Sequence, residues 1–424
     1  MALGLYISVP FCRTKCSYCN FASDVFSRAL FDRYVERVCA DIRNAPATAE
    51  RMGGRVGREV DSVYLGGGTP TVLDSLQLER LFVTIGQNFC LLPETEITVE
   101  CAPGTLNPAT LEVLQKSGVN RVSLGVQSFI DQEAAAVGRL HKRTTVLEEI
   151  ARLRSAGISN INIDLIAGLP HQTRESWDFS LAETLATGAP HASVYMLEVD
   201  EDSRLGRELI AGGTRYHAHF VPDEDLTADL YLMACEQLDS AGVRHYEISN
   251  FAREGFESRH NLKYWARRPY LGFGVDAHSM LEASDDPYVL VRAAEGNSRK
   301  DVGGSPACEL PAAAMEAVRF ATADSVEEYM GGAPVERTPV SRRAALEETF
   351  FLGLRLTRGV DLRQVASQFG SDVIIRFAPQ IGELVESGLI EEDGDVVRLT
   401  ARGRLLSNEV FERFISVAED VSKP

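Results

Sequence analysis

The sequence predicts an α/β protein: a partial (β/α)6 barrel followed by a C-terminal α+β region that ends in a winged-helix-like domain. Three observations carry this reading. From Gly4 to about Glu198, short β-branched runs alternate with amphipathic helical patterns, the rhythm of a parallel sheet joined by helical crossovers. Six such units are present, two short of a closed eight-unit barrel, so the barrel is expected to be open, with its ligand site at the carboxyl ends of the strands. Beyond Ser341, three helical patterns precede a hairpin with Asp393 and Gly394 at its turn.

The strands begin with GLYISVP at Gly4 and continue with VDSVYLGG at Val60, ITVEC at Ile97, VNRVSLGV at Val119, ISNINIDLI at Ile158 and HASVYMLEV at His191. Asp74 and Gln77 form a capping-box pair ahead of Leu78, Leu81, Phe82 and Ile85 at helical spacing. Asn107 before Pro108 reads as an N-cap with proline at the first helical position. The Ala-, Gly- and Arg-rich segment from Asn44 to Arg58 is expected to be a loop. After Asp200 the rhythm breaks: a helix from about Asp223 to Ala241 leads into YEISNFA and then RHNLKYWARRPYLGFGVDAHS. Soft stretches from Gly296 to Pro311 and from Gly331 to Pro339 read as linkers. The predicted units are a barrel over 1–222, a middle region over 223–330 and the winged-helix-like domain over 331–424.

Composition narrows the function. With 45% hydrophobic and 25% charged residues in 424, the chain is globular. Its 43 basic against 61 acidic side chains leave a charge of -18, which opposes attraction to nucleic acid. A winged helix often binds DNA, but here Arg376 faces Glu383 and Glu386 in the presumed third helix and the wing is acidic, so a packing or partner role is expected. No run approaches the roughly 18 apolar residues of a membrane span, and no leader pattern opens the chain, so no transmembrane segment and a cytoplasmic location are expected.

Eight cysteines are too few for a disulfide scaffold, yet Cys12, Cys16 and Cys19 crowd into CRTKCSYC just after the first strand. Zinc would want a fourth ligand, but no histidine precedes His141 and the next cysteine, Cys39, lies halfway along a predicted helix. Three thiolates suit a cubane 4Fe-4S cluster whose fourth iron stays open for an outside ligand. The run VYLGGGTPT leaves the second strand with Gly66, Gly67 and Gly68, and three polar side chains stand at strand ends: Glu100, Gln127 and Asp164. Arg139 supplies a positive charge for a carboxylate ligand.

CRTKCSYC resembles the cluster motif of the radical S-adenosylmethionine superfamily. The resemblance implies that S-adenosylmethionine chelates the open iron and that the reduced cluster can cleave it to a 5'-deoxyadenosyl radical. The match is to the oxygen-independent coproporphyrinogen III oxidase family. It implies that Tyr6, Tyr18, Gly67, Gly68, Thr69, Glu100, Gln127, Arg139 and Asp164 hold the nucleotide. EISNFA, RHNLKYW, YLGFG and the winged tail are similar to the haem chaperone branch of that family, over nearly the whole chain. Two departures from the oxidase pattern agree: Phe21 stands where the oxidases carry a fourth cysteine, and only eleven residues precede Cys12 in place of their long extension.

The resemblance therefore implies a chaperone that binds haem, a 4Fe-4S cluster and S-adenosylmethionine, and passes haem to apo-haemoproteins, with membrane-bound respiratory enzymes among the acceptors. His260, Asn261, Tyr264 and Trp265 are the expected haem contacts. A second reading stays open: on a helix His260 and Tyr264 lie at i and i+4 and can satisfy each other in the core. His141, in GRLHKR, is another candidate ligand, and Asp276 stands in GVDAHS where the family pattern has glycine. The rivals are a coproporphyrinogen III dehydrogenase and a radical methyltransferase.

Overall fold

Six parallel strands, joined by helical crossovers, line up in chain order at the centre of the computed structural model, which describes residues 1–285 and 315–415. They are β1 (Leu3–Val9), β2 (Glu59–Gly67), β3 (Cys90–Cys101), β4 (Arg121–Gln127), β5 (Asn160–Ala167) and β6 (His191–Met196). Six further strands extend this sheet: β7 (Arg244–Glu247), β8 (Asn250–Ala252), β9 (Tyr270–Phe273), β10 (His278–Glu282), β11 (Met315–Ala321) and β12 (Glu336–Ser341). The order is β12-β11-β10-β9-β1-β2-β3-β4-β5-β6-β8-β7, and β12 and β7 do not pair, so the barrel is open.

The parallel strands bury both faces. Outward-pointing Leu5, Ile7, Val63, Leu65, Val99, Val122, Ile161 and Ile163 sit at 1% exposure or less under the helices, as a parallel sheet clad in crossovers requires. The helix signals form as read: Asp74 and Gln77 exchange side-chain to backbone hydrogen bonds at 2.9 and 3.0 Å, and Asn107 accepts from the Thr110 amide at 2.9 Å. Two expectations change. The segment 44–58 contains a helix, Ala45–Met52, whose buried stripe is Ala45, Ala49 and Met52. The linker over 331–339 turns into strand at Glu336, while the one over 296–311 lies outside the described residues.

A second core, from Ile248 and Met280 to Phe414, holds the C-terminal helices Arg342–Gly353, Leu362–Phe369 and Asp372–Glu386 against the sheet β13 (Val360–Asp361), β14 (Ile390–Asp393) and β15 (Val396–Leu399). Its join to the barrel includes Glu348, 6% exposed, which accepts from Arg267 at 2.8 Å and pairs with Arg319 at 2.9 Å. Replacing Glu348 by alanine leaves two guanidinium groups facing each other, the Arg267 one mostly buried and the Arg319 one 36% exposed. A loss of about 1–3 kcal/mol in urea unfolding is expected, and a variant as stable as wild type would show the triad to be incidental.

Candidate functional site at the barrel mouth

The cysteine loop begins where β1 ends and is tied down on every side. Cys12 donates its amide to Asp24 and Asp24 to Pro10, both at 3.0 Å. Ser17 donates to the Val137 carbonyl at 3.2 Å, and Thr14 reaches the Gly138 carbonyl at 3.0 Å, so the loop leans on the exit of β4. From the far side Leu205 donates to the Ser17 carbonyl at 2.8 Å and Arg204 to that of Lys15 at 3.2 Å. The three thiols are half-buried and unbridged. Thr69 donates to the Cys12 sulfur at 3.7 Å, and burial pushes that thiol up.

Beside the thiols, the polar strand ends converge. Tyr18 accepts from Arg139 at 3.0 Å. A carbon added to Gly125 would meet both Arg139 and Gln127 at 3.3 Å, which places those two side chains together. Gln127 Oε1 and Arg139 Nε are buried with no hydrogen-bond partner, and Gln127 takes a left-handed φ of 69° to point there. Glu100 accepts from the Tyr64 hydroxyl at 2.9 Å, and burial, helped by Asp164, pushes its carboxyl up to about 7. Asp164 accepts from Ser123 at 3.0 Å and Asn162 at 2.7 Å and is likewise raised by burial. Tyr6 stacks on Tyr64 with ring centroids 6.2 Å apart.

Residues 6–182 match the radical SAM superfamily and residues 340–406 the HemN C-terminal domain. The heme chaperone HemW of Lactococcus lactis is 32% identical over 414 residues, covering 97% of this chain and 96% of that protein. Its namesake from Bacillus subtilis is 33% identical over 419 residues, covering 97% and 98%. The chain belongs to the HemW family of radical SAM proteins. A solved structure, the coproporphyrinogen III oxidase HemN of Escherichia coli, superposes with a TM-score of 0.75 over 97% of this chain and 90% of that one; at 23% identity the likeness shows the fold.

Radical SAM proteins carry a 4Fe-4S cluster and S-adenosylmethionine, and the mouth of this HemW-family barrel fits both. Among the described residues no three His, Cys, Asp or Glu side chains converge on a point fit for one metal ion; three thiols on one open-sided loop suit a cluster that keeps one iron free. The unpartnered Gln127 oxygen and Arg139 nitrogen need a polar guest. Gly67 has φ 91°, and a carbon on Gly68 would lie 2.6 Å from the Val9 carbonyl oxygen. Because that obstacle is backbone, Gly68→Ala must push the two strands apart. We expect it to cost about 1–3 kcal/mol and most of the reconstituted iron, and wild-type iron content would refute the close approach.

The helix Arg259–Trp265 lies at the opposite end of this HemW-family barrel. Glu96 accepts from the Arg259 and His260 amides at 3.1 and 3.2 Å, and Lys263 reaches Ala2 and Asp61 at 2.9 and 2.6 Å. These partners mark the amino ends of β1 to β3, so the helix plugs the barrel floor. His260 is 1% exposed; Ser62 holds its Nδ1 at 3.1 Å and Tyr264 its Nε2 at 2.9 Å, the core pairing that the i, i+4 spacing allows. Burial drives its imidazole down to about 3. Asn261 takes the Ser258 cap at 3.3 Å, and Trp265 lies under the Arg355 guanidinium at 4.3 Å. His141 is buried against the Val126 carbonyl at 3.1 Å and held down at about 4. Asp276 takes a left-handed φ of 51°.

On the polar inner wall, motif reading finds Glu100 and Asp164 but passes over Ser123, Asn162 and His191. Glu100, Ser123, Asn162 and His191 are cross-strand partners in one register. Asn162 donates to Ser123 at 2.7 Å and accepts from His191 at 2.6 Å. The signal is present in the sequence as Asn160, Asn162 and Asp164 at every second position of a strand whose other face is wholly apolar.

Proposed function

We propose that this chain is a cytoplasmic haem chaperone, which takes up haem and hands it to apo-haemoproteins, membrane-bound respiratory enzymes among them. Cys12, Cys16 and Cys19 hold the cluster, while Tyr6, Tyr18, Gly67, Gly68, Thr69, Glu100, Gln127, Arg139 and Asp164 hold S-adenosylmethionine. The observation that carries this reading is the likeness over 97% of the chain to two proteins that bear the name heme chaperone. The cysteine loop agrees with it, because Phe21, 63% exposed, replaces the oxidases' fourth thiol. No described helix is long and apolar enough to cross a membrane.

When bound, the cluster and S-adenosylmethionine together supply one-electron chemistry. The residues position the nucleotide: Arg139 takes its carboxylate, and Glu100 and Asp164 accept from its ribose hydroxyls. The test is anaerobic reconstitution followed by two assays, a haem titration and incubation with coproporphyrinogen III, S-adenosylmethionine and reductant. Stoichiometric haem uptake without vinyl product supports the carrier. Turnover to protoporphyrinogen IX would replace it with the dehydrogenase.

A further inference from the structure

Eight histidines are all among the described residues, and their surroundings sort them sharply. His141, His191, His245 and His260 have ring nitrogens engaged within the fold, and three of the four are buried. His278 is exposed and stands beside Asp276 at 3.6 Å. The remaining three gather in one place. His171, on the loop after β5, lies with Nε2 3.1 Å from His217 Nδ1, and His219 follows two residues on. Phe220 lies against both outer rings, 4.0 Å from His171 and 4.1 Å from His219 between centroids, with 46% of its surface open to solvent.

The cluster is built, and at a cost to the backbone. His171 and His217 are two of only five described non-glycine residues with positive φ, at 69° and 60°. A left-handed histidine is strained, and such strain persists where the surroundings enforce it. Here Glu208 accepts from the Tyr216 and Ala218 amides at 2.7 and 3.1 Å, and His171 donates its amide to the Phe220 carbonyl at 3.0 Å. Glu208 belongs to the helix Arg204–Ala211, whose last turn exposes Leu209 and Ile210 and whose first turn is bonded to the cysteine loop through Leu205 and Arg204. One element thus joins the thiols to the histidines.

We propose that haem is seated on this cluster, with its iron taken by His217 Nε2. The seat rests on the chaperone reading and specifies where the cargo sits. If His217 donates Nδ1–H to His171 Nε2, its tautomer is set and Nε2 keeps its lone pair, the arrangement that ligating histidines need. Among the described residues, no side chain or backbone group bonds to that nitrogen. One axial nitrogen is enough for haem, so the cluster need not enclose a free ion. Phe220, Leu209 and Ile210 offer apolar surface to the porphyrin, and Arg215, two residues before His217, supplies a cation for a propionate.

Glycine is the telling replacement, since it suits both left-handed positions and relieves the backbone. The full-length H171G/H217G/H219A protein, reconstituted beside wild type and H278A, is titrated with ferric haem and its Soret band recorded. The triple variant should show a displaced band and affinity lower by at least about tenfold, with iron and sulfide content unchanged. H278A should match wild type, and free imidazole should return the wild-type band to H217G. An unchanged spectrum and affinity in the triple variant overturns the seat and leaves the chaperone reading standing. Wild-type protein that takes up no haem overturns both.

Discussion

The Cys16→Ala protein is expected to leave anaerobic reconstitution colourless, with iron and sulfide near zero, while its far-ultraviolet circular dichroism matches wild type. Three thiolates give three of the four irons their only protein ligand. Removing one leaves two sulfurs on adjacent arms of a loop, and the chelate is lost along with the bond. The loop itself has other anchors. Backbone bonds from Cys12 to Asp24, Ser17 to Val137 and Leu205 to Ser17 do not involve the Cys16 side chain, so the fold has no reason to fail with the cluster. Wild-type iron and sulfide in the variant would end the three-thiolate assignment.

Much of this architecture is readable from the chain because its signals are local. The six parallel strands are apolar runs with helix caps between them, and Asp74, Gln77 and Asn107 announce their helices within three residues. The cysteine loop is readable because its three cysteines lie within eight positions. Where partners are distant or elements short, the signal fades. β7, β8 and β9 are four residues or fewer and show no period, so the extension of the sheet to twelve strands is hidden. The helix Ala45–Met52 buries only Ala45, Ala49 and Met52, too small a stripe to stand out from a loop. His171 and His217 meet across 46 positions, and no local pattern links them. His260 shows the converse: its spacing to Tyr264 admits both a ligand and a core pair, and only the contacts with Ser62, Glu96 and Gly4 reveal the floor it closes.

S-adenosylmethionine should bind about tenfold more weakly for each pH unit below 7, and the Glu100→Gln protein should bind weakly with that slope much reduced. Burial is the main reason the Glu100 carboxyl stands at about 7 against an ordinary 4.5, and Asp164 adds repulsion; the Tyr64 hydroxyl and the Gly67 amide oppose both by donating to it. Ribose hydroxyls donate to an ionised carboxylate far better than to a protonated one, and the nucleotide's sulfonium favours the same charged form. Binding therefore draws on the ionised fraction, which shrinks tenfold per unit below the pKa of the empty site. Asp164, also raised by burial, acts with the same sign. Stability runs the other way. Between 4.5 and about 7 the folded chain holds a proton on Glu100 that the unfolded chain has released, so this group's contribution to the stability of the nucleotide-free fold falls as pH rises through that window. Calorimetric titration from about pH 6 to 8, in two buffers of different ionisation enthalpy, reads the affinity slope and the released proton together. Affinity that stays level across that range in the wild-type protein would remove Glu100 from the nucleotide site.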